Sequence, residues 1–171
     1  MLVERVLCSV SLGCAAKREP INYLRITGDG QFQVAVATNG HLLLMLTIPS
    51  TEKGVEYIEG KAALKVTDLG GSVAVSSNCL SYGNCQVRYQ PLEQVYPNID
   101  AVISRTLPTN QWELDTNYLA LVGKWYKKVQ KMSGLGALHP QYLGGGGNSP
   151  VYFYAKQNDT IAEAWVMPRK M

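Results

Sequence analysis

The chain has 171 residues, 46% hydrophobic and 17% charged, with a net charge of +3 and a pI of about 8.6. That balance suits one ordinary soluble globular unit, or one and a half small ones. No apolar run approaches the ~20 residues of a membrane-spanning helix, and the mild positive excess permits a nucleic-acid partner without requiring one.

At the start, Leu2, Val3, Val6, Leu7 and Val10 recur at helical spacing, with Glu4, Arg5, Ser9 and Ser11 off that face. This predicts an amphipathic helix from about residue 2. Glu4 precedes Arg5, so there is no basic leader region and the stretch does not read as a signal peptide. Gly13 ends the helix and Pro20 forbids its continuation. Residues 21–27 read as a strand, turned at Gly28-Asp29-Gly30 into a second strand over 31–38. The alternation of Phe32, Val34 and Val36 and the Asn39-Gly40 pair predict a hairpin. Its return strand, 42–48, is almost continuously apolar and is expected to be buried on both faces. A polar turn, a short strand at 55–58 and a short helix over 59–66 follow, stopped at Gly70-Gly71. Strands are expected at 72–76, 79–82 and 85–90, and the stretch 92–97 leads into 99–103.

Residues 105–111, with Pro108, read as a linker, and 112–114 as a strand stub. Asp115 or Thr116 caps a helix from Asn117 to about Met132. Its apolar stripe is Tyr118, Leu121, Val122, Trp125, Val129 and Met132. The opposite face carries Lys124, Lys127, Lys128 and Lys131, with no acid between 117 and 132. Residues 134–150, with Gly144-Gly145-Gly146-Gly147, form a long loop. Closing strands at 150–156 and 161–167 turn at Gln157-Asn158-Asp159. The three helices begin near residues 2, 60 and 116, a spacing of roughly 55 to 60 residues, each followed by strands. The class is therefore α+β. Unit one, starting in a helix at residue 2, lacks the leading strand that 55–58 and 112–114 give the other two.

Cys8, Cys14, Cys79 and Cys85 fall in two pairs whose spacing is not that of a zinc knuckle. Cys79 and Cys85 flank a hairpin tip and could face each other across its strands; free thiols are the simpler expectation, and no metal or cofactor is expected. His41 and His139 are the two histidines. Nothing fixes either in register with a thiolate and an orienting group, so the chain does not read as an enzyme. The glycine run lacks the Gly-Lys-Ser/Thr ending of a phosphate loop.

Three stretches change the outlook. Val36-Ala37-Thr38-Asn39-Gly40-His41-Leu42-Leu43 resembles the VATDGHRLA signature of the bacterial sliding clamp, the beta subunit of DNA polymerase III. Glu93-Gln94-Val95-Tyr96-Pro97-Asn98-Ile99-Asp100-Ala101-Val102-Ile103 resembles the family's GKFPDYRRVIP segment. Ala164-Trp165-Val166-Met167-Pro168-Arg169-Lys170-Met171 is similar to its terminal YVVMPMRL. The order matches, and the last lies at the end of this sequence. The resemblance implies DNA-clamp-like half-units, each a helix followed by antiparallel strands, with helices on one face of curved sheets. Residues 1–104 would correspond to most of the clamp's second domain and 112–171 to the second half of its third, with 105–111 as linker.

Carried over residue by residue, the family's peptide pocket would use Thr38, Gly40, His41 and Leu43, then Pro97 and Val102, Tyr118 on the third helix, Val151, and Val166, Met167 and Pro168. The family's Asp is Asn39 here, its rim arginines are Leu42 and Ala101, and the apolar floor is retained. The expected function is a clamp that tethers a polymerase or other replication factor to duplex DNA, in the cytoplasm, without reading sequence. Lys124, Lys127, Lys128 and Lys131 would face the phosphate backbone. Three half-units per chain and a family ring of twelve suggest a homotetramer. The alternatives are a clamp-like adaptor or competitor that binds clamp-binding peptides without encircling DNA, and a structural phage or mobile-element protein of other use.

Overall fold

The computed structural model of the protein describes residues 1–68, 71–99, 115–141 and 150–167. Leu2–Glu4 (β1) opens the chain as a strand, and the helix starts only at Arg5, as α1 (Arg5–Cys8) running on into a 3-10 segment, Ser9–Gly13. Two patterns compete here. Val3 is buried between exposed Leu2 and Glu4, a period of two, while Val6, Leu7 and Val10 keep the helical period. Pairing decides in favour of the strand: Leu2, Val3 and Glu4 lie opposite Ala74, Val73 and Ser72. The expected helix from residue 2 is thus three residues too long, and unit one has the leading strand it was expected to lack.

The hairpin prediction holds, with Tyr23–Asp29 (β2), Phe32–Thr38 (β3) and Leu42–Pro49 (β4) in antiparallel register. Lys53–Glu59 (β5) leads into α2, Gly60–Val66, and then Ser72–Ser76 (β6), Cys79–Tyr82 (β7) and Cys85–Arg88 (β8). A Cβ on Gly60 would lie 2.9 Å from Cys14 Cβ and 3.1 Å from the Asn22 carbonyl, so the first residue of α2 must be small. The β7–β8 register sets Cys79 opposite Arg88 and Cys85 opposite Tyr82. That places the two cysteines on opposite faces of the hairpin, and both are free.

The long helix α3 covers Thr116–Ser133, capped by the Asp115 carboxylate accepting from Asn117 N (2.8 Å) and closed by Gly134 at φ +71°. The loop expected after it contains a strand, His139–Gln141 (β9), a short edge held by backbone pairing to Val151–Gln157 (β10). Pro140 is tolerated because its missing donor faces the edge. Thr160–Val166 (β11) is the last strand among the described residues. The stop at Gly70, the linker, the stub at 112–114 and the glycine run at 144–147 lie outside the described residues.

The strands form a four-stranded sheet, β1-β6-β7-β8, and a seven-stranded sheet, β5-β2-β3-β4-β11-β10-β9. Each leading strand crosses to its neighbour's sheet: β1 joins the strands of unit two, and β5 those of unit one. The third unit extends the first through the β4–β11 ladder, from Leu42↔Val166 to Thr47↔Ile161. The helices pack on one side around a core that includes Leu7, Val10, Leu24, Leu44, Val66, Trp125 and Val166. A smaller core lies on the other face of the seven-stranded sheet, where Tyr23, Val36, Leu43 and Trp165 meet Tyr96 and Ile99. Tyr96 Oη shares its proton between the carbonyls of Tyr23 and Val36 (3.2 and 3.1 Å), which pins the chain around it across the sheet. Among the described residues no helix is long and apolar enough to cross a membrane, and no cluster of ligands could hold a metal.

Burial has a measurable consequence at alkaline pH. It pushes the Cys8 thiol from 9.0 to about 12 and the Tyr89 phenol from 10.0 to about 12. Above pH 9 the unfolded chain releases these protons while the folded chain keeps them, so stability falls as pH rises towards 12. Urea midpoints in reductant should therefore drop steadily between pH 8.5 and 11. A flat profile would show that these groups ionise as readily in the fold.

Candidate peptide and nucleic-acid interfaces

The loop between β3 and β4 is built by its own side chains. Asn39 Oδ1 accepts from the backbone N–H of His41 (3.0 Å) and Leu42 (2.9 Å). Thr38 Oγ1 donates to the Leu42 carbonyl (2.8 Å) and accepts from Gly40 N (3.1 Å). Gly40 sits at φ +91°, where a side chain is costly. An amide oxygen serves as acceptor here as a carboxylate would, so Asn39 supports the loop without a charge.

Distant parts of the chain meet at this loop. The His41 carbonyl accepts from Met167 N (2.8 Å), continuing the β4–β11 ladder past its last paired residues. The His41 ring stacks on Tyr118, in the first turn of α3, with centroids 5.7 Å apart and planes 15° from parallel. Val151 lies opposite Val166, which lies opposite Leu42. Thr38, Gly40, His41, Leu43, Tyr118, Val151, Val166 and Met167 are thereby brought to one end of the seven-stranded sheet. Val102 and Pro168 lie outside the described residues.

They are not on one face of it. Paired residues share a face and neighbours alternate, so Val166 and Val151 point with Leu42 towards the helices. Leu43 points the other way, with its partner Trp165. Leu43, Val151 and Val166 are all at most 2% exposed. Tyr118, Met167 and Pro97 are half-buried, and Gly40 and His41 are exposed. Pro97 sits between Tyr96 and Ile99, both packed in the cluster of Leu43 and Trp165. Trp165, which belongs to the terminal motif, joins Leu43 in that cluster. Its indole lies 4.9 Å from the Tyr152 ring, and it is 4% exposed with Nε1 unpartnered.

The lysines divide. Lys124, Lys127 and Lys131 are exposed on α3. Lys128 is half-buried and bonds Asp68 Oδ1 (3.1 Å) and Thr67 Oγ1 (3.3 Å) just past the end of α2. Charge is segregated more widely than α3 alone. Helical residues 5–13, 60–66 and 116–133 hold Arg5, Lys61, Lys65, Lys124, Lys127, Lys128 and Lys131, seven cations, and no Asp or Glu. All 13 acids of the chain lie elsewhere.

No family model and no curated protein matches the sequence. Solved structures do match the fold. The DNA polymerase III beta subunit of Pseudomonas aeruginosa superposes with a TM-score of 0.69 at 14% identity, covering 100% of this chain and 66% of that one. The beta subunit of Thermotoga maritima gives 0.65 at 11%, over 100% and 65%. The beta sliding clamp of C. crescentus gives 0.64 at 13%, over 100% and 66%. This chain therefore spans just under two thirds of those subunits. Sequence identity this low carries no function across, but the architecture is shared over the whole length: the chain has the fold of the DNA polymerase III beta subunit, the sliding clamp.

Proposed function

We propose that the protein is a sliding-clamp-like binding protein, not an enzyme, which lays its helical face on duplex DNA and holds a replication partner by a short hydrophobic peptide. The observation that carries this reading is the segregation of charge: seven cations and no acid on the helices that share one side of the sheets. A face meant only for solubility mixes both signs, whereas a surface for the DNA backbone needs positive charge and no base-reading groups.

The test is a salt titration of duplex binding. Wild type should lose affinity steeply with salt, because each phosphate contact releases counterions. Replacing Lys124, Lys127 and Lys131 with Glu should weaken binding at least about tenfold and flatten the salt slope. The fold should survive, because all three side chains are exposed. Equal, salt-insensitive binding by both proteins would sink the proposal.

Encircling DNA would require several copies. Among the described residues β1, β8, β5 and β9 each have one strand neighbour, and such edges invite pairing with another chain. Three half-units per chain make a tetramer the simplest closed ring of twelve. The alternative is an adaptor that binds a partner peptide without encircling DNA. Light scattering at micromolar concentration, with and without DNA, separates the two: a strict monomer in both conditions leaves only the adaptor.

A further inference from the structure

Where the end of α2 meets α3, a cleft of about 210 Å³ is lined by Arg5, Thr67, Asp68, Lys128, Lys131 and Met132. Three cations from two helices converge on it, and Asp68 is the single carboxylate in the lining. The Lys128 ammonium is held from two sides. On one is Thr67, 2% exposed, whose hydroxyl donates to the Leu64 carbonyl (2.9 Å) and so turns a lone pair to Lys128. On the other is Asp68, whose side chain is 85% exposed. Among the described residues neither Arg5 nor Lys131 has a carboxylate partner. One side of the ammonium is thus a fixed, buried acceptor, and the other is a solvated anion that can be exchanged.

We infer that this cleft is a seat for one backbone phosphate of the duplex, with Asp68 as the anion that occupies Lys128 until the phosphate arrives. The inference rests on the DNA-binding reading above and adds to it a place and a regulator. A solvated Lys–Asp pair is weakly held and screened by salt. A phosphate oxygen replaces the carboxylate at Lys128 and brings contacts to Arg5 and Lys131 that Asp68 does not make. Asp68 is therefore an internal competitor, which keeps the resting affinity of the helical face for DNA below what its cations allow.

The experiment uses the full chain, with Asp68→Asn, Lys128→Gln and the double substitution, in duplex titrations across salt. Asp68→Asn should tighten binding about two- to fivefold near physiological salt, the range a released surface pair supplies. In the Lys128→Gln background the same change should have little effect. An equal gain in both backgrounds would reduce Asp68 to a bulk charge and overturn the proposal, as would no gain at all. A second arm titrates inorganic phosphate against amide NMR signals of Thr67, Asp68, Lys128 and Lys131. If wild type fails to bind duplex even at low salt, the DNA reading falls by itself. Saturable phosphate shifts at those residues, tightened by Asp68→Asn, would then keep the seat as an anion site, and their absence would remove it.

Discussion

Trp125→Ala should cost about 3–5 kcal/mol of folding stability, the usual penalty for emptying a buried indole site. Trp125 is fully buried on α3, packed edge-on to Tyr126 with centroids 6.2 Å apart. It belongs to the core that joins all three helices to the seven-stranded sheet, so neighbours on several elements lose their packing partner at once. At this chain length each kcal/mol moves the melting temperature by roughly 2–4 °C, so calorimetry should show a drop of about 6–20 °C. The Nε1 donor of Trp125 has no partner. Trp125→Phe therefore sacrifices no hydrogen bond and should recover much of the loss seen in Trp125→Ala, because the phenyl ring refills most of the cavity. If Trp125→Phe were as damaging as Trp125→Ala, an unseen polar role of the indole would have to replace packing as the explanation.

Such a residue was easy to find in the sequence, because the stripe Val122, Trp125 and Val129 has no competing interpretation. The beginning of the chain was harder for a physical reason. Leu2, Val3, Val6 and Leu7 satisfy the helical period locally, and what makes Leu2–Glu4 a strand is β6, seventy residues away. Strand β9 was hidden in the same way. A three-residue edge containing Pro140 is held by backbone pairing to β10, which leaves almost no trace in composition. The loop Thr38-Asn39-Gly40-His41 was legible because its side chains bond their own backbone within four residues.

Which residues gather around the β3–β4 loop was legible, and which face of the sheet each takes was not. Motif matching gathers Leu43 and Val166 together because both lie near the loop in the fold. It cannot see that β4 and β11 are in register one residue apart, so that Leu43 pairs with Trp165 and turns its back on Val166. The missing information is a strand register between residues more than a hundred positions apart, and no local pattern encodes it.

Sidedness decides where a peptide could act. Val166 belongs to the helix-side core and Val151, its cross-strand partner, is buried beside it, so both are expected to affect stability. The side chains available to a partner are the exposed or half-buried His41, Tyr118, Met167 and Pro97, of which Tyr118 packs against the helix-side core and stacks on His41, while Pro97 lies beside the cluster of Leu43 and Trp165. Met167 is the best single probe, because its backbone N–H is fixed to the His41 carbonyl at 2.8 Å while its flexible thioether side chain is only half-buried. Truncation should therefore remove a contact without breaking the ladder that positions it. A labelled hydrophobic clamp-binding peptide should bind Met167→Ala about 5- to 150-fold more weakly than wild type, a loss of roughly 1–3 kcal/mol if that side chain is a buried anchor. Val166→Ala makes the contrast. It should lower the melting temperature and, in the fraction that remains folded, leave peptide affinity nearly unchanged. Were Val166→Ala to reduce affinity as much as Met167→Ala at matched folded fraction, the peptide would have to approach from the helix side. No binding to wild type at high micromolar peptide would remove the peptide role altogether, and the basic helical face would then be the surface on which function rests.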